Sequence, residues 1–264
     1  MRKHEKFILT PIASILDEGC AAMAFLNDGM ESFPVGEYMM QSLFLKMTGF
    51  QEQKVKCILW ELATDSYELR YSRYQKDGIG EASTYDDKMK VFQDLTGLLR
   101  LKMPDGMPLL TDVEKENIMS ETMSYMNKLS IQHLLKGWMQ RQYDDFRLLF
   151  GNCGKECLLF VGGKKCSLFG HCENCTKKSK AIDGQICKIS SLKEIYNSVY
   201  HHRNRCAHNT VSYQQNLPSF EMLQSKEYVF ENYFVRFAML MLIDMTFVKL
   251  FEKYLAFMPE PFEI

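Results

Sequence analysis

Glycine and proline are scarce in this chain of 264 residues, at 15 and 7. So little punctuation leaves few places to turn, which favours long helices over a succession of short strands. The apolar/polar alternation of half-buried strands is almost absent outside Leu158 to Val161, and no internal repeat of fixed period occurs. These absences leave an all-α fold, a helical bundle. Net charge is nearly absent too, at −1, so any contact with nucleic acid must come from a local basic patch. A membrane span is also lacking. The most apolar stretch, Phe237 to Phe251, is punctured by Asp244 and Lys249 and preceded by Arg236. The basic amino terminus with its short apolar run resembles a signal peptide, but Pro11 interrupts the run, Asp17 and Glu18 close it, and no small-x-small site follows. A soluble, cytoplasmic protein with no membrane partner is expected.

What the chain has in abundance is methionine and phenylalanine, 18 of each, mostly on helix faces where they serve as core filling. It also has nine cysteines, an odd number. Five crowd into Cys153 to Cys175, while Cys20, Cys57 and Cys206 lie singly in apolar patterns, a distribution suited to a reducing compartment rather than to a disulfide framework.

Apolar spacing predicts a helical run over 7–30 through Ile8, Ile12, Ile15 and Leu16, with breaks at Asp28-Gly29 and at Phe33-Pro34-Val35-Gly36. Helices are expected from about Glu37 to Gly49, Gln51 to Tyr74 and Tyr85 to Leu101, the last ending at the turn between Met103 and Pro108. Thr111-Asp-Val-Glu114 is a capping box and opens a long helical region reaching about Phe150. Residues 151–187 form an insert rich in Cys, Gly and Lys. Helical spacing resumes behind Ser190 or Ser191, with Leu192, Ile195, Val199, His202 and Cys206 on one face, and a final helix runs from about Ser225 to Phe257. The division expected is an N-terminal helical region, 1–110, and a helical bundle, 111–264, the two forming separate units or one continuous domain.

The segment Tyr200-His-His-Arg-Asn-Arg-Cys-Ala-His208 concentrates the chemistry. Arg203 carries a permanent charge, and His208, five positions on, gains or loses a proton near neutral pH. RNA cleavage by its own 2′-hydroxyl needs a base for that proton, an acid for the leaving 5′-oxygen, and positive charge on the transition state; Arg and His supply these without metal. His202 and Arg205 add candidate substrate-binding groups. On a continuous helix, five residues turn the side chain by about 140°, so Arg203 and His208 would not face one pocket. Either the helix ends or bends inside the motif, or a cleft between two protomers collects the pairs.

Arg-Asn-x-x-x-His over residues 203–208, followed by a long terminal helix, resembles the signature of the HEPN (higher eukaryotes and prokaryotes nucleotide-binding) nucleases. The resemblance implies a helical bundle that dimerises so that two motifs share one cleft and cut RNA without metal. It makes Arg203 and His208 the catalytic pair and Asn204 the residue that orients them. By family analogy it also implies a toxin or anti-phage defence effector, silenced by an antitoxin or sensor protein. Thr210 stands where the toxin branch has a Tyr two places after the His, so regulation through that Tyr is not implied. The alternative is an inert helical module that binds RNA or nucleotide, or scaffolds a protein.

Cys153 and Cys157, then Cys172 and Cys175, approximate the two-pair layout of a structural zinc site, with Cys166 and His171 as alternative ligands. Reduced thiols on a basic loop carrying Lys164, Lys165, Lys177, Lys178 and Lys180 fit the same residues. No cofactor is expected for catalysis. The carboxylate pairs Asp86-Asp87 and Asp144-Asp145 are adjacent and diverge by about 100° on a helix. No Gly-rich phosphate loop, His-Glu-x-x-His or nucleophile elbow is present.

Overall fold

The computed structural model describes residues 2–23, 33–76, 82–131, 142–144, 146–147, 181–182, 185–186, 192–208 and 232–258. Its architecture is all-α. The helices are α1 (Glu5–Leu9), α2 (Ala13–Met23), α3 (Phe33–Asp65), α4 (Tyr67–Arg70), α5 (Tyr85–Lys102), α6 (Asp112–Ile131), α7 (Leu192–His208) and α8 (Tyr233–Phe257), with a π-helical turn, Tyr71–Lys76, directly after α4. Within the 151–187 insert, the described residues form one small antiparallel pair, β1 (Ala181–Ile182) and β2 (Gln185–Ile186). The Leu158 to Val161 segment lies outside the described residues.

Helix α8 is the central element. Every residue from Tyr233 to Asp244 is buried, Arg236 and Asp244 included, so this stretch has no solvent face. Asn232 starts it, its Oδ1 accepting from the amides of Phe234 and Val235 at 2.9 and 3.4 Å. Around α8 pack α1, α3, α5 and α6, while α7 lies on α3 and α5. The buried apolar residues of both expected regions, 1–110 and 111–264, belong to one cluster.

On α3 the buried positions Met40, Phe44, Met47, Gln51, Val55, Ile58 and Leu62 recur every three or four residues and define one inward stripe. Buried polar residues of α3 have partners here: the Gln51 amide donates to the Leu240 carbonyl at 2.8 Å, and Lys54, one turn away, pairs with Asp244 of α8 at 2.6 Å. Asp244 also accepts from the Ile12 amide at 3.0 Å, and Lys54 donates to the Thr10 carbonyl at 2.6 Å. This buried pair therefore ties α8 and α3 to the link between α1 and α2.

Four expected boundaries are corrected. The described part of the run over 7–30, up to Met23, is two helices, because Pro11 cannot continue α1 and the chain turns at Thr10 to Ile12 before α2. The expected breaks at Phe33 to Gly36 and near Gly49 lie inside a single α3: Pro34 falls in the first turn, where its missing N–H costs nothing, and Gly49 is simply a helical residue. The helix expected to continue to Tyr74 stops at Asp65, since Ser66 turns to φ −125°, ψ 109° and caps α4 through the Leu69 amide. The capping box is formed as expected: Thr111 Oγ1 accepts from the Glu114 amide at 3.2 Å and the Thr111 amide donates to Glu114 Oε2 at 2.7 Å. At Gly19, where α2 crosses α3, a Cβ would overlap the Leu43 side chain.

Candidate active site

The motif sits in the last three turns of α7, and the helix is unbroken from Leu192 to His208. The helix is continuous through the motif and ends at its last residue. Arg203 and His208 lie about 140° apart around one axis, with His208 the final helical residue. The side chain of His208 lies outside the described residues.

Tyr196 and Val199, both buried, seat α7 on the body of the protein. The Tyr196 hydroxyl donates to the Ser83 carbonyl at 3.0 Å, and its ring packs against Tyr85 with centroids 5.9 Å apart. Lys88 of α5 is also fully buried here, its Nζ 5.1 Å from the Tyr196 ring centroid and 2.6 Å from the Ala82 carbonyl. Burial pushes the Lys88 amine down to about 8; Glu52 and Asp87 counter that effect, and Arg203 adds to it. Tyr196 completes a face that the periodic positions Ile195, Val199 and His202 only partly identify.

Arg203 is 23% exposed and held on two sides. Its Nη1 donates to Asn204 Oδ1 at 3.2 Å and its Nη2 to Glu52 Oε2 of α3 at 3.4 Å. The guanidinium is therefore anchored yet accessible. Asn204, expected as the orienting residue, contacts Arg203 through its Oδ1. Glu52 is the residue sequence reasoning missed. It lies 151 positions away in the chain, and nothing local to the motif points to it.

His202, a candidate phosphate-binding group by sequence, is placed in the packing between α7, α3 and α8. Its ring centroid is 5.2 Å from Phe44 and 5.7 Å from Tyr233. Arg205 Nη2 lies 3.3 Å from Nδ1, which must accept, and Cys206 Sγ lies 3.4 Å from Nε2. Burial, reinforced by the charges of Arg236 and Arg205, pushes the imidazole down to about 2. With its ring between Phe44 and Tyr233 and both nitrogens engaged, His202 is placed in packing rather than facing solvent. Arg205 meets that ring, and His201 is exposed.

The thiolates expected to hold zinc, Cys153, Cys157, Cys172 and Cys175, lie outside the described residues, as do Cys166 and His171. Among the described residues no group of three His, Cys, Asp or Glu is arranged to hold a metal ion. Cys20 and Cys57 are buried free thiols, both raised by burial. No helix among the described residues is long and apolar enough to cross a membrane.

No family model matches the chain, and no solved structure matches it. Among curated proteins, 79 residues are 34% identical to ribonuclease H of Campylobacter jejuni subsp. jejuni serotype O:23/36 and, to the same extent, to ribonuclease HI of serotype O:2. The match covers 30% of this chain and 47% of each relative, so the chain spans about half the length of the curated relatives it matches.

Proposed function

We propose that this protein is a HEPN-like endoribonuclease that cuts RNA through its 2′-hydroxyl, with no metal in the chemical step. The observation that carries this reading is Arg203: a permanent charge fixed by Glu52 and Asn204, still open to solvent, on the helix that ends in His208. The partial likeness to proteins named ribonuclease H supports RNA as the substrate class.

In this mechanism an imidazole takes the proton of the 2′-hydroxyl, and the 2′-oxygen attacks phosphorus. The bond to the 5′-oxygen breaks, and that oxygen leaves with a proton from a second imidazole. Arg203 stabilises the charge gathering on the phosphoryl oxygens. Two imidazoles and two guanidiniums are available when two chains pair across a shared cleft. The 140° divergence on an unbroken α7 favours that arrangement over one protomer acting alone. The biological setting proposed with it is a toxin or antiviral effector restrained by an antitoxin or sensor protein, with a structural zinc on the cysteines of the insert.

The second reading is a non-catalytic RNA-binding or scaffolding module, favoured by the Arg203–Glu52 pair, which would equally well fasten α7 to α3. Incubating the purified chain with RNA separates the two. The expected products carry a 2′,3′-cyclic phosphate and a 5′-hydroxyl, DNA and 2′-methoxy RNA stay intact, and His208→Ala lowers the rate by about 10²- to 10⁴-fold with an unchanged circular-dichroism spectrum. 3′-Hydroxyl products, or full activity in His208→Ala, would overturn the mechanism.

A further inference from the structure

At the far end of α3 from the motif, a cleft of about 320 Å³ is lined by Trp60, Ala63, Thr64, Arg70, Tyr74 and Gln75. Its size lies within the range of small-molecule sites. One wall is α3 and the other is the π-helical turn Tyr71–Lys76, an irregularity that often marks functional positions. Trp60 and Tyr74 meet edge to face, with centroids 5.9 Å apart and planes at 85°. Trp60 is 49% exposed, large for an indole anchored on a helix.

The cleft is firmly supported. His4 packs edge-on against Trp60 at 6.3 Å and is fixed by Glu61 at 2.8 Å, while the buried Arg2 and the Tyr254 hydroxyl both bond Asp65. Arg70 is anchored by one nitrogen, Nε, which donates to the Ala63 carbonyl at 3.0 Å. Among the described residues its two terminal nitrogens have no partner, nor does the Tyr74 hydroxyl, whose proton burial makes harder to remove. Aromatic faces, a guanidinium with free donors, and amide and hydroxyl groups are together the chemistry that recognises an unpaired base and its phosphate. The same guanidinium disfavours a cationic ligand.

Resting on the reading of the protein as a ribonuclease, we propose that this cleft holds one unpaired nucleobase of the RNA strand, stacked on Trp60, with the adjoining phosphate on Arg70. Trp60 lies eight residues beyond Glu52, the partner of Arg203, so the cleft is about 12 Å along the same helix from the motif.

The test is binding of a fluorescently labelled 2′-methoxy oligonucleotide to the full chain by anisotropy, a readout independent of cleavage. Trp60→Leu is expected to weaken it by about 5- to 150-fold, the loss of one stacked base, and Trp60→Phe by much less. Arg70→Gln is expected to lower the dependence of log affinity on log salt by about 0.7, one phosphate contact on a single strand. Wild-type affinity in Trp60→Leu overturns the proposal. A mononucleotide that binds as tightly as the oligonucleotide overturns it in favour of a free nucleotide, and a changed oligomeric state of Trp60→Leu with unchanged RNA affinity overturns it in favour of a second copy of the chain. If the wild type binds RNA through Trp60 yet cuts none, the ribonuclease reading fails and the cleft stands.

Discussion

Helices α7 and α8 both carry charge, and they handle it in opposite ways. On α8, Asp244 is fully enclosed, paired with an equally enclosed Lys54 and bonded to the Ile12 amide, so its charge holds three segments in register. On α7, Arg203 is fixed by Glu52 and Asn204 but remains partly exposed. A charge that is matched and sealed serves the fold. One that is paired yet partly exposed, as at Arg203, stays accessible from solvent.

The comparison breaks most visibly at Asp244. Asp244→Ala strands a buried ammonium and an amide, and is expected to cost about 3–5 kcal/mol in a urea titration. Adding Lys54→Met to that variant should recover a large part, because the unpaired charge is gone. A loss under about 1 kcal/mol in the single variant would mean that the pair is not sealed.

His202 gives a smaller, pH-dependent effect at the junction of the two helices. Its folded-state pKa is about 2 against 6.5 in the ordinary state, so its contribution is complete above pH 6.5 and is lost as the pH falls through the window below it. Facing it are Arg236, Arg205, Cys206 and Tyr233, the last held protonated by burial and by Glu37. Stability should fall by up to about 1.4 kcal/mol per pH unit from this group, and the slope should flatten by that amount in His202→Gln. An unchanged slope would place the ring in solvent.

The smallest expected effect on stability sharpens the contrast. Glu52→Gln removes the carboxylate beside Arg203 and should cost about 0.2–1 kcal/mol, the usual worth of a partly exposed pair. The cleavage rate should fall further than this energy implies. A stability loss as large as that of Asp244→Ala would make Glu52 a fastening for α7 and remove the distinction between the helices.

Much of this layout was readable in the residues themselves. Thr111 and Glu114 announce the start of α6, Met103 ends α5 within two residues of the expected Leu101, and α8 ends at Phe257, because caps and periodicity are local properties. Ser66 was legible in principle but was outweighed by continuing helical propensity on both sides. The π-helical turn has no local signature in Tyr71 to Lys76. Arg203 and His208 stood out by residue type and spacing and Asn204 came only from the family resemblance, whereas Glu52 and the Trp60 cleft depend on which helix lies beside which. The inward placement of His202 follows from the same tertiary fact: its partners Phe44 and Tyr233 are distant in the chain.

The 33 residues of α3 make it a continuous helix of about 50 Å carrying Glu52 and Trp60 on one backbone. A helix with that span is a ruler. If an RNA base is gripped at Trp60, the position of the cut is measured from it in helical rise, independently of the sequence between grip and cut. One residue inserted between Glu52 and Trp60 would lengthen the measure by about 1.5 Å and swing the grip through about 100°, changing which nucleotide is delivered to Arg203.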